Sequence, residues 1–199
     1  MPKDTFFNLP NEKRQKIIAA AIDQFSKLHY SNVTIDRIVR AAEIPKGSFY
    51  QYFENKDDLY IYLFTEVGDT KLEIFESIKK RIPLISFKEY MMEYIMALKK
   101  LELSNDQMAR LKREFLSQCP QHIKKEILKI EMPKSLQVFK GVIDAYIEKK
   151  EFRKDLNSKT AAYVTVISIS NLEFYDYHED EDIITVLTGI IDFLVESMH

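Results

Sequence analysis

Residues 34–59 read TIDRIVRAAEIPKGSFYQYFENKDDL, and this stretch predicts two short helices joined by a tight turn, with a third helix starting behind them. Ile35, Ile38, Val39 and Ala42 fall at i, i+3, i+4 and i+7, which makes one apolar helix face. Thr34, just ahead of them, supplies the hydroxyl of an N-cap. Pro45 suits the first turn of the second helix, because its fixed φ is helical and its missing N–H has no intrahelical partner to lose. Phe49 and Phe53 then share the inward face, and at about 100° per residue Gly47 and Gln51 lie opposite, flanked by Ser48, Tyr50 and Tyr52. The outward face is polar and aromatic and carries no acid, which is the layout of a helix-turn-helix DNA reader. Glu43 stands in the turn where such motifs often use glycine. If its φ is positive, its side chain is strained, since Cβ crowds the carbonyl.

The run Lys46-Gly47-Ser48-Phe49-Tyr50-Gln51-Tyr52-Phe53, with Asn55-Lys56 and Leu59 behind it, resembles the DNA-binding signature of the TetR family of bacterial transcriptional regulators. The resemblance covers about residues 10–60, including Lys13-Arg14 and the run from Ile17 through Ala21 to Phe25, which is similar to the family's first helix. The rest of the chain agrees only in being helical. The resemblance implies an all-α fold, with a three-helix DNA-binding domain over 1–55 and a larger helical effector-binding and dimerisation domain over 56–199. It also implies a double-stranded DNA operator as partner. Lys46, Gly47, Ser48, Tyr50 and Gln51 would then face base edges, and Thr34, Tyr52 and Lys56 would hold phosphates. A homodimer that a small-molecule effector releases from its operator is the expected mode, with an activator or a co-repressor-dependent regulator as the alternative.

The chain has 199 residues, 46% of them hydrophobic, with 29 basic and 31 acidic side chains, a composition that points to a globular fold with a sizeable core. Four glycines and six prolines are few interruptions, so long helices are favoured. A net charge of −2 argues weakly against nucleic-acid binding until its distribution is considered. Residues 1–56 hold nine basic against six acidic side chains, leaving the excess of acid to the remainder. Basic charge therefore gathers, modestly, where the motif is. A single cysteine, Cys119, has no internal disulfide partner and suits a reducing compartment; a small buried side chain is its simplest reading and a redox sensor the rarer one. No stretch approaches the ~20 apolar residues of a membrane span. With no basic segment followed by an apolar run at the start, a cytoplasmic location is expected.

Helical periodicity runs nearly throughout. A helix over about residues 10–28 precedes the motif, and another over about 55–80 follows it and ends before Pro83. Ser86-x-x-Glu89 and Ser104-x-x-Gln107 read as capping boxes, each marking a helix start. Helices over about 121–131 and 134–150 are expected to be separated by Pro133. The last two, about 158–177 and 182–198, are the most apolar. A helix apolar on several faces needs more than one neighbour, inside the monomer or in a second copy. The resemblance implies that the last two helices pair with those of a second copy, with Val164 and Leu172 on the first and Ile183, Leu187, Ile190, Ile191 and Leu194 on the second as the dimer interface.

Four isolated glycines cannot build a phosphate-binding loop or a dinucleotide fingerprint, and the four histidines lack metal-site spacing. Glu196-x-x-His199 and the run from His178 to Asp182 lack the partners that di-iron or calcium sites require, so neither metal nor cofactor is expected. Met and aromatic residues offer an adaptable apolar lining for an effector pocket: Phe64, Met91, Met92, Tyr94, Met96, Met108, Phe115, Phe139, Tyr146, Tyr163, Phe174 and Tyr175. A hydrophobic or amphipathic effector, acyl-chain or aromatic, follows from that lining. A helical ligand carrier or enzyme without DNA binding is the competing class, and the outward face of the second motif helix argues against it.

Overall fold

The computed structural model describes residues 1–172, 175 and 182–199. Phe174 and the acidic run around His178 lie outside them, Asp182 excepted. Helix accounts for 80% of the described residues, with no strand among them, so the fold is all-α. The helices are α1 (Asp4–Phe7), α2 (Asn11–Lys27), α3 (Ile35–Ala41), α4 (Lys46–Tyr52), α5 (Lys56–Ile78), α6 (Phe87–Ser104), α7 (Asp106–Gln118), α8 (Gln121–Glu148), α9 (Ser158–Ser170) and α10 (Ile183–Met198).

These elements form two compact units, one made of residues 1–69 and 100–130, the other of 70–99 and 131–199. The expected reader domain over 1–55 lies wholly inside the first. Its core joins Ile17, Ala21 and Phe25 of α2 with Ile38 of α3, Phe49 of α4 and Phe53, Leu59 and Tyr60 beyond it. Leu111, Cys119, Ile123 and Ile127 belong to the same core, so α7 packs on α2 and the reader shares its interior with residues far along the chain. In the second unit Phe75, Phe87, Tyr90, Met91, Phe139, Val142, Ile143 and Tyr146 meet Ala162, Leu187, Ile191 and Leu194. Phe75 stacks on Phe139 with ring centroids 4.1 Å apart, a geometry that adds to simple area burial.

Local chemistry explains most helix boundaries. Thr34 accepts from the Arg37 N–H at 3.3 Å and opens α3; the Asn55 carboxamide accepts from Asp58 N at 2.9 Å and opens α5. Ser86 and Glu89 form the expected capping box, with Ser86 N donating to Glu89 Oε2 at 2.7 Å and Glu89 N to Ser86 Oγ at 3.2 Å. The second box does not form. Asn105 caps α7 instead, accepting from Met108 N at 3.1 Å, and the Ser104 hydroxyl turns back to the Leu101 carbonyl. Asn and Ser are near-equal caps, and the one-residue shift lets α6 run one position further. Pro133 sits inside α8 and does not divide it. Proline removes only one intrahelical hydrogen bond, and a helix held by core residues such as Ile127 and Phe139 on either side tolerates that loss.

Glu43 has φ 52°, so the turn between α3 and α4 does use the left-handed region. Ile44 N donates to Val39 O at 3.0 Å and Glu43 N to Arg40 O at 3.2 Å, the paired bonds of a Schellman motif built without glycine. The Glu43 side chain ion-pairs with Lys16. Lys150 closes α8 in the same way, at φ 65°. Relieving the strained Cβ outweighs an exposed ion pair, so Glu43→Gly is expected to raise Tm by roughly 2–4 °C, measurable by calorimetry.

Candidate DNA-binding site

The reader helix is α4, a seven-residue segment with Pro45 as its N-cap at φ −61° and ψ 143°, one position earlier than the sequence suggests. Phe49 and Phe53 are fully buried, as their spacing requires. They seat α4 on the core formed by α2, α3 and α5. Gly47, Tyr50 and Gln51 are exposed and Ser48 half-exposed. Gly47 has no positive φ, and a Cβ built on it meets no heavy atom within 4 Å. Nothing in the fold therefore requires glycine there; the missing side chain clears space on the outside of the helix.

Lys46 also stands on this side, where its ammonium lies 2.9 Å from Asp36. The hydrogen bond and charge of Asp36 raise the pKa of Lys46 above the ordinary lysine value. The ion pair ties the start of α4 to the first turn of α3. Thr34 is exposed at the head of α3; its oxygen accepts the capping N–H, which leaves the hydroxyl proton free to donate outward.

Two residues expected on this surface are placed elsewhere. Tyr52 is only 5% exposed, its ring packed 6.2 Å from Phe6 and under the Lys13 ammonium. The wheel put it beside the outward face, but at the end of a short helix its ring turns to cover an apolar neighbour. Lys56 is half-buried and its Nζ donates to the carbonyls of Tyr30 at 2.8 Å and Val33 at 2.9 Å. It also sits 4.1 Å above the Tyr30 ring. Burial lowers its pKa below the ordinary lysine value. Two of its three donors thus hold the 3-10 turn Tyr30–Asn32 to the start of α5, which makes Lys56 a scaffold residue. Asp57 next to it accepts from the Tyr30 hydroxyl and lies 3.2 Å from His122 Nε2. Burial would raise the Asp57 pKa, but these two hydrogen bonds outweigh it and hold the carboxyl below its usual range.

Arg37 and Arg40 join this surface although neither is among the site residues expected from the motif. Both are exposed on α3 and neither side chain has an ion-pair partner among the described residues. The apolar face of α3 already implied them, since Ile35, Ile38 and Val39 inward put 37 and 40 outward.

The expected effector residues do not come together. Phe64, Met108 and Phe115 belong to the core of the first unit, and Phe64 packs against Phe115 at 4.3 Å. Met91, Met92, Tyr94, Phe139 and Tyr146 belong to the second unit's core, while Met96, Tyr163 and Tyr175 are exposed. Periodicity identifies a buried face but not the core it enters. Cys119 is buried, and burial pushes its thiol up to about 11, which leaves it protonated and unreactive at neutral pH. Among the described residues no group of three or more His, Cys, Asp or Glu side chains could hold a metal ion, and no helix is long and apolar enough to cross a membrane.

Of the expected interface residues, Leu187, Ile191 and Leu194 are buried in the second unit's own core, so they are corrected from interface to interior. Ile190 and Leu172 are partly buried, and Val164 and Ile183 are exposed. The outer faces of α9 and α10 instead carry Tyr163 and Phe193, the latter 70% exposed.

Residues 17–63, which include the whole of α3, the turn and α4, match the family of bacterial regulatory proteins named for tetR. The transcriptional regulator AcuR of Cereibacter sphaeroides is 45% identical over 56 residues, 28% of this chain and 25% of that one. The match to HbdR of Aromatoleum sp. covers 27% of that protein, so the chain aligns with only about a quarter of the length of either. The fatty acid metabolism regulator protein of Bacillus subtilis is similar along nearly the full length, 23% identical over 94% of this chain and 96% of the relative. Among solved structures, the transcriptional regulator FadR from Bacillus subtilis, in complex with stearoyl-CoA, shares the fold with a TM-score of 0.66 at 22% identity, over 93% of this chain and 99% of that one. The reader helix lies inside the matched segment, so residues 17–63 carry the DNA-binding segment of the tetR family of bacterial regulatory proteins, and the chain as a whole shares the fold of regulators of that kind.

Proposed function

We propose that the chain represses transcription by binding, as a homodimer, a roughly palindromic operator, and that a small hydrophobic or amphipathic effector releases it. The observation that carries this reading is the outer side of α4, where exposed Tyr50 and Gln51, half-exposed Ser48 and an unobstructed Gly47 stand together without an acid. Gln51 has the amide that pairs bidentately with adenine, and Gly47 lets the backbone approach the groove. Lys46 exchanges Asp36 for a phosphate or base edge. The Thr34 hydroxyl, Arg37 and Arg40 supply phosphate contacts, in place of Tyr52 and Lys56.

The second unit is assigned the effector site, with Met91, Met92, Tyr94 and Phe139 as lining. Met adapts to ligand shape, and the Tyr94 hydroxyl, its pKa pushed up to about 12 by burial, remains a neutral donor. The likeness to a regulator solved with stearoyl-CoA supports a long acyl chain as the apolar part. Fluorescence anisotropy on operator DNA, with saturating stearoyl-CoA and with CoA alone, tests the mechanism. Stearoyl-CoA is expected to weaken binding roughly 5–150-fold, the usual range of coupling between two sites, and CoA alone to do little. Unchanged or tighter binding with stearoyl-CoA overturns the release mechanism for this effector class.

A further inference from the structure

We infer that residues 3–6 are a clasp that sets the tilt of the reader helix, with Thr5 as a positioning residue for sequence recognition; this rests on the DNA-binding reading above. The last four carbonyls of any α-helix lack intrahelical partners. In a helix of seven residues that is more than half of them. In α4, Phe49 O is satisfied by Phe53 N at 2.9 Å. The other three are satisfied from the N-terminal segment: Tyr50 O accepts from Lys3 Nζ at 3.0 Å, Gln51 O from the Thr5 hydroxyl, and Tyr52 O from Lys3 N at 2.8 Å. Three consecutive acceptors on the reader therefore meet three donors within residues 3–5.

The segment that delivers them is itself fixed. Phe6 is fully buried, with its ring 4.8 Å from Phe53, 6.2 Å from Tyr52 and 5.3 Å from Tyr62 of α5. Arg14 of α2 donates to the Phe7 carbonyl at 3.3 Å. The C-terminal end of α4 is thus hydrogen-bonded to a segment anchored on α2 and α5, while its N-terminal end is held by the turn at Glu43 and the ion pair of Lys46 with Asp36. A helix held at one end alone could pivot, and Gln51 lies in its last turn. A small rotation there displaces the amide from a base edge without disturbing phosphate contacts made by α3.

The test uses Thr5→Val, which keeps the shape and removes the donor, with Thr5→Ser as the rescue, because Phe6→Ala would damage the core. Affinity is measured for the selected operator and for a scrambled duplex of equal length, and the carbonyl-13C shift of Gln51 is read in the free protein. Thr5→Val is expected to weaken operator binding about fivefold or more, leave the scrambled duplex unchanged and move the Gln51 carbonyl signal, with Thr5→Ser restoring all three. Equal loss on both duplexes would make Thr5 a phosphate contact and overturn the inference. So would unchanged operator affinity despite a shifted Gln51 signal. A protein that binds no operator at all fails the DNA-binding reading instead, while the carbonyl shift still reports on the clasp.

Discussion

Phe193→Glu is expected to give a folded monomer, and Leu187→Glu no folded protein. The two residues lie less than two turns apart on α10, yet Phe193 is 70% exposed and Leu187 6%. A glutamate at 187 would put an unpaired charge among Ile191, Leu194 and Ala162. That penalty is several kcal/mol, a large part of the ~5–15 kcal/mol that holds an ordinary domain together. At 193 the charge enters water in the monomer and is buried only if a second copy covers the outer faces of α9 and α10. Those helices expose Tyr163, Val164, Ile183 and Phe193, apolar side chains of the kind that mark an interaction surface when they stand together. Two readers must stand about 34 Å apart to enter successive major grooves, so losing the dimer also loses avidity, on the order of 10²–10⁴ in operator affinity. Sedimentation velocity at micromolar concentration should show wild-type dimer and Phe193→Glu monomer with the same far-ultraviolet dichroism. A wild-type monomer, or a variant that still dimerises, contradicts this assignment.

Gly47→Ala separates reading from folding. Since a Cβ at Gly47 meets no protein atom within 4 Å and alanine is the better helix former, the fold should hold or gain up to ~1 kcal/mol. Operator affinity should fall, because the added methyl stands between the helix and the base edges. Gln51→Ala should cost about 1–3 kcal/mol in operator binding and relax preference at a single base position, with little change on random DNA. Thermal melts and anisotropy titrations at one fixed salt concentration check both variants. A Gly47→Ala protein that binds its operator as tightly as the wild type would place the groove contact elsewhere.

How far the fold could be read in advance depended on whether its determinants are local. The reader was legible because Thr34, Pro45, Phe49 and Phe53 act within one or two helical turns, and the Ser86–Glu89 box for the same reason. Helix α1 was not, since four residues carry no period and its stability comes from α4 carbonyls and the Phe6 pocket nearly fifty residues away. Lys56 and Tyr52 misled for a related reason: both are amphipathic side chains whose tips find partners that a helical wheel does not show. The broad apolar stripe of α10 merged two faces, one for its own core and one exposed, which only burial separates. The Met and aromatic residues expected to line one pocket divide instead: Phe64, Met108 and Phe115 enter one core, Met91, Met92, Tyr94, Phe139 and Tyr146 the other, and Met96, Tyr163 and Tyr175 are exposed, because residues 100–130 return to the reader.

The outer side of α4 is expected to read one DNA sequence. Selection of bound genomic fragments by the purified protein, followed by sequencing, tests it most directly. The account predicts one enriched, roughly palindromic motif, with preference relaxed at one position in each half-site for Gln51→Ala; fragments that share no common site would contradict it.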